Sequence, residues 1–153
     1  MSKYLESIQE NFGNVESVLQ YYRDELSDLE SHIRLKGKQI DAACIEQAGW
    51  HSYYDSKRAE IKAIHDYIEI QLAKVHSLLW KKLTEKHSRD LTQKDKEVYI
   101  KQNSEFIDME ILLVHTKEVL DKYISAVDSF KYRGYSLNNL TRLRIAEHED
   151  WII

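Results

Sequence analysis

Proline is absent from this chain of 153 residues, glycine occurs four times and cysteine once. Without proline, and with glycine so scarce, little in the sequence obliges a helix to end, and long helices are expected. The lone Cys44 excludes an internal disulfide and suits a reducing cytoplasm. No run of 18 or more apolar residues exists, so no membrane span is expected. The first residues, MSKYLESIQENF, lack the apolar core of a secretory signal. Phosphate-binding P-loops, nucleophile elbows, H-E-x-x-H and paired E-x-x-H motifs are missing too. Catalytic residues, metal ligands and cofactors are therefore not expected, and Cys44, on an apolar stripe, reads as a packing residue.

What is present is helical periodicity. Leu5, Ile8, Phe12, Val15, Leu19, Tyr22, Leu26, Leu29 and Ile33 alternate at spacings of three and four. So narrow a stripe is the seam of a coiled coil, about 45 Å long as a helix; packing on its own domain is the alternative. Gly37 marks a break. A second helix follows from Ile40 to about Leu83, with Gly49 at a possible bend. The polar stretch KHSRDLTQKD makes a turn, in which Thr92 and Asp95 resemble a capping box. A third helix is expected from Gln93 to Lys131, pairing antiparallel with the second as a long hairpin. Gly134 then stands where a left-handed cap would turn the chain, and Ser136 would start a short fourth helix ending near His148. The expected fold is all-α. It comprises an N-terminal heptad helix (1–36), a long helical hairpin with a basic turn (37–131), and a C-terminal assembly helix (132–153). On that last helix Leu137, Leu140 and Leu143, with Trp151 and Ile152, offer an apolar face for oligomerisation.

The net charge of −4 hides an uneven distribution. Residues 74–101 hold eight basic groups against four acidic, and residues 131–144 hold four basic groups and no acid. Around the turn stand Lys81, Lys82, Lys86 and Arg89, next to Trp80. Near the C-terminus stand Lys131, Arg133, Arg142 and Arg144, interleaved with Tyr132 and Tyr135. Cations beside aromatic rings are what single-stranded nucleic acid requires, charge for phosphates and π-faces for bases. The same mixture is also common on solvated helices.

FKYRGYSLNNLTRLR, residues 130–144, resembles the end of UvsY-type phage recombination mediator proteins, in which R-G and an aromatic lead into a short arginine-bearing helix. EQAGWHSYY, residues 46–54, is similar to that family's segment of Gln, His and Tyr before a long lysine-rich helix. The order of parts agrees over roughly residues 28–148. Proline after the Gln and the Y-Y-S-G turn, both common in the family, are missing here. The resemblance implies a non-enzymatic protein of the host cytoplasm that binds single-stranded DNA, including DNA covered by single-strand-binding protein. It implies that the protein helps load a RecA-like recombinase and assembles as a ring-like homo-oligomer. It directs attention to Lys81 and Lys82, with Lys86 and Arg89 in the same register, and to Arg133, Tyr135, Arg142 and Arg144. The rival expectation is a helical coiled-coil interaction or adaptor protein of phage origin with no affinity for DNA.

Overall fold

A computed structural model describes residues 2–86 and 91–150, apart from the side chains of Lys86 and of residues 148–150. Every regular element among the described residues is helical: α1 (Lys3–Glu10), α2 (Val15–Glu25), α3 (Leu29–Ile33), α4 (Ile40–Lys86), α5 (Gln93–Lys101) and α6 (Ser104–Asp150). Short 3₁₀ turns occupy Phe12–Asn14 and Leu26–Asp28. The chain is all-α, and among the described residues no helix is long and apolar enough to cross a membrane.

Caps set most of the boundaries. Ser2 accepts a hydrogen bond from the Tyr4 amide and opens α1. Asn11 closes it: its backbone is extended, and its side chain accepts from the Gly13 amide. The heptad segment is therefore not one continuous helix. Gly37 has φ of +86°, a left-handed conformation that favours glycine, and it separates α3 from α4. Thr92 and Asp95 form the capping box, each side chain accepting from the other's amide. Asn103 Oδ1 accepts from the Phe106 amide and starts α6 afresh, so the third helix begins at Ser104 and not at Gln93.

The far end of α6 corrects a second expectation. The helix does not stop near Lys131 and turn at Gly134; it runs without a break to Asp150. Gly134 has no positive φ. A Cβ at this position would lie 3.2 Å from Gln47 Nε2, so the missing side chain gives Gln47 room. The short helix expected to begin at Ser136 is a continuation of α6.

Two compact units interleave along the sequence, Met1–Leu19 with Glu60–Leu120, and Gln20–Ala59 with Asp121–Ile153. The first has an aliphatic core: Ile8, Val15, Val18, Leu19, Ile61, Ile64, Ile68, Ile100 and Val119 are buried, with Phe106 and Met109 beside them. Each fully buried isoleucine there contributes about 1.5–3 kcal/mol. Buried Thr116 is satisfied within its own helix, its hydroxyl donating to the Leu112 carbonyl at 2.7 Å. The heptad seam is spent inside the chain. Ile8, Val15, Leu19 and Tyr22 are fully buried and the other seam positions are half-buried, so the stripe is not left open as a coiled-coil surface.

The second unit has an aromatic core. Tyr22, Tyr54, Tyr123 and Phe130 are all fully buried. Tyr54 stacks on Phe130 at 5.1 Å, Tyr22 meets Tyr123 edge-on at 5.9 Å, and the Tyr123 hydroxyl donates to the Tyr22 carbonyl at 3.0 Å. Contacts of Ala43, Gln47 and Tyr54 on α4 fall on Arg133, Phe130 and Tyr123 of α6 in descending order, so these segments run antiparallel within the unit.

Candidate nucleic-acid interface

The first basic patch belongs to the aliphatic unit. Lys81 and Lys82 are exposed on the last turns of α4. Lys81 Nζ lies 3.9 Å from Glu85, a loose and screened pair, whereas Lys82 makes no ion pair among the described residues. Beside them Trp80 stacks with His76 at 6.0 Å, and Lys96 Nζ sits 5.3 Å above the indole while donating to Thr84 Oγ1. Val75, Leu78 and Leu79 floor an open groove of about 370 Å³, and Lys81, Lys82, Glu85 and Glu105 rim it. Lys74, Lys94 and Lys101 are exposed elsewhere in the unit. The Lys86 side chain and Arg89 lie outside the described residues.

The second patch belongs to the aromatic unit, and the structure divides it. Tyr132 and Tyr135 are exposed, with their rings 6.4 Å apart, and Arg142 and Arg144 are exposed on the following turns of α6. Lys131 is exposed and bonded to Asp128 at 2.7 Å, which raises its pKa. Arg133 is not available to a ligand's backbone. Only 3% of it is exposed. Its Nε donates to the Ile33 carbonyl at 3.2 Å, and its Nη1 donates to the Ala43 carbonyl at 3.1 Å and to Gln47 Oε1 at 2.5 Å. Ile33 ends α3, so Arg133 satisfies a carbonyl that the helix end leaves unpaired. A charge buried among acceptors is a structural clamp, and this corrects its reading as a DNA contact.

The two sequence motifs therefore meet. Gln47, from the segment EQAGWHSYY, donates to the Phe130 carbonyl at 2.6 Å and accepts from Arg133. Glu46 Oε2 lies 3.9 Å from Arg133 Nη2 and takes a hydrogen bond from Lys38 at 2.6 Å, which holds its carboxyl below the usual pKa. Trp50 stacks on His32 at 3.6 Å, and Tyr53 donates to Glu25. Desolvation, the largest cause in each case, raises the phenol pKa of Tyr53, Tyr54 and Tyr123, that of Tyr54 to about 12.

The residues expected from the sequence to mediate oligomerisation divide in the same way. Leu137 is buried in its own unit and is no part of an open face, because its turn of α6 still packs inward. Leu140 and Leu143 are exposed, Ile145 with them, and Trp151 and Ile152 lie outside the described residues.

Sequence reasoning missed the run Arg34-Leu35-Lys36-Gly37-Lys38, which holds three cations and no acid. Charge counted over a longer window cancelled it. Lys38 reaches Glu46, and Ile33 and Leu35 line a cavity beside Arg133. Elsewhere, ligand atoms of His65, Asp66 and Glu69 lie within 4.8 Å of one another, but Lys62 already bonds Asp66 at 2.8 Å. No protein-family model, curated protein or solved structure matches the chain.

Proposed function

We propose that the chain is a non-catalytic helical protein that binds single-stranded DNA. Following its resemblance to UvsY-type mediators, it would help load a RecA-like recombinase onto DNA covered by single-strand-binding protein. One observation supports this reading above the others: exposed Lys81 and Lys82 flank an apolar-floored groove next to Trp80, pairing phosphate-neutralising charge with surface that bases can cover. Tyr132, Tyr135, Arg142 and Arg144 offer the same chemistry on α6. A homo-oligomer, ring-like in the family it resembles, would repeat each patch and raise avidity without a new contact. Exposed Leu140 and Leu143 are the residues proposed to join subunits.

Fluorescence anisotropy with a labelled oligo-dT strand across a salt series tests the proposal. Affinity should fall as salt rises, and Lys81→Ala with Lys82→Ala should flatten the log–log slope by roughly 1.4, at about 0.7 per phosphate. No binding at low salt would reject it. Leu140→Asp with Leu143→Asp should lower the sedimenting mass and the affinity together.

A second reading, an adaptor without DNA affinity, draws on a different feature. Ile107, Ile111 and Val114 stand exposed on one face of α6 and border an open groove of about 540 Å³ with Leu72 and Leu113. Surface of this kind suits a protein partner. Under this reading the salt series shows no DNA binding at any point.

A further inference from the structure

Within the aliphatic unit α6 is apolar on two sides. One side is spent on the core, where Phe106, Met109, Val119 and Leu120 are buried. The other is not. Ile107, Ile111 and Val114 recur at spacings of four and three, and they are 38%, 47% and 65% exposed. With Leu72 of α4 and Leu113 they border the open groove of about 540 Å³. A surface helix needs one apolar stripe to hold it to its core; a second, facing solvent, is left for a partner.

The charge around this stripe is of one sign. Residues 102–116 hold three acids and neither lysine nor arginine. Two of the acids flank the stripe. Glu110 lines the groove, three residues after Ile107 and four before Val114, and Asp108 stands on the opposite flank, three residues before Ile111. Both are exposed, and neither makes an ion pair or hydrogen bond among the described residues. His115, at the groove's edge, lies 3.5 Å from Glu16, which brings a third carboxylate to it. Lys117 lies beyond the groove's lining.

We propose that this face docks an amphipathic helix of a partner protein, one whose apolar stripe is flanked by lysine or arginine. Apolar positions four and three apart on a helix accept the side chains of a second helix, and the unpaired Asp108 and Glu110 meet the flanking cations. The same carboxylates repel phosphates, so a nucleic acid is not the occupant. A second copy fits poorly as well. Self-pairing of the stripe would set Asp108 and Glu110 against their own kind. The exposed Leu140 and Leu143 carry both Arg144 and Glu147 beside them, which cancel. The inference rests on the second reading only for there being a protein partner, and DNA affinity elsewhere on the chain leaves it intact.

The test uses the full chain and two labelled, designed helical peptides in fluorescence anisotropy. They share one leucine stripe at spacings of three and four; lysine flanks it in the first and glutamate in the second. The parent should bind the lysine peptide saturably and at least tenfold tighter than the glutamate peptide, with the ratio shrinking at high salt. Ile111→Ser with Val114→Ser should weaken the lysine peptide at least tenfold. Asp108→Lys with Glu110→Lys, at exposed positions, should reverse the preference with an unchanged melting temperature. Equal affinities for the two peptides, no binding of either, or a preference that survives the charge reversal overturns the proposal. A sedimenting mass that falls in Ile111→Ser with Val114→Ser also overturns it, since a second copy then covers the face. Oligo-dT titrated into the parent separates this outcome from that of the second reading. Binding of both oligo-dT and the lysine peptide rejects a chain without DNA affinity and supports the docking face. Binding of neither overturns the docking face and leaves the second reading standing.

Discussion

The two compact units handle positive charge in opposite ways. The aliphatic unit closes its core with isoleucine, valine and leucine and leaves Lys81 and Lys82 in solvent. The aromatic unit builds its core from Tyr22, Tyr54, Tyr123 and Phe130 and draws Arg133 into it. The aliphatic core has no polar atom to spare for a cation, since its buried Thr116 hydroxyl is already bonded to the Leu112 carbonyl, so its lysines stay outside, where hydration is undisturbed. A core that already contains hydroxyls, a glutamine and the carbonyl ends of helices can coordinate a guanidinium. Residues of the same charge in the same acid-free stretch thus serve different ends. Lys131, Arg142 and Arg144 remain on the surface, and Arg133 organises the fold.

The contrast is broken most severely by Arg133→Ala. It strands the Ile33 and Ala43 carbonyls and the Gln47 amide, so unfolding free energy should drop by about 3–5 kcal/mol. Denaturant titration measures the loss, and a change under 1 kcal/mol would show the clamp to be dispensable.

Alkaline pH probes the same unit more gently. Tyr54 holds its proton to about pH 12 because it is desolvated, and Tyr53 and Tyr123 are raised as well. Unfolded phenols titrate near pH 10. Between about pH 10 and 12 the unfolded chain therefore releases protons that the folded chain keeps, and stability falls as pH rises; below pH 10 the contribution is complete. Tyr54 alone accounts for a loss on the order of 2 kcal/mol across that window. Denaturation midpoints at pH 8, 10 and 11.5 should decline, and Tyr54→Phe should decline less steeply.

Gly134 allows a finer cut. Alanine there gains helix propensity of about 1 kcal/mol. It also presses on Gln47, which is pinned at both ends of its amide and cannot swing away. Gly134→Ala should destabilise the parent by about 1 kcal/mol yet stabilise the Gln47→Ala variant by about the same amount, a sign reversal that a double-mutant cycle reads directly. Equal effects in both backgrounds would mean that the glycine serves some other purpose.

The smallest effect belongs to the exposed side of the comparison. Lys81→Ala with Lys82→Ala should move stability by less than about 0.5 kcal/mol. A larger loss would show that these lysines, like Arg133, hold the fold together.

How much of this was legible varies by element. Periodicity and the absence of proline foretold α4 and the all-α class, and Thr92 with Asp95 foretold the start of α5, because propensity and capping act within a few residues. Asn103 carried a cap signal too, but the apolar pattern ran across it and masked the break. Gly37 and Gly134 look alike in a sequence. Only the structure separates a glycine needed for positive φ from one needed so that Gln47, 87 positions earlier in the numbering, can approach.

The sequence by itself determined where helices form, which faces of them are apolar and which stretches are free of acid, since these follow from local backbone chemistry and side-chain order. Only the tertiary structure decided what those faces meet and which cations stay wet. The heptad stripe is closed by its own chain, and the arginine of the R-G motif is spent on carbonyls at Ile33 and Ala43. Burial is set by contacts between residues some hundred positions apart, and no local spacing encodes which of several equal charges will be nearest to them.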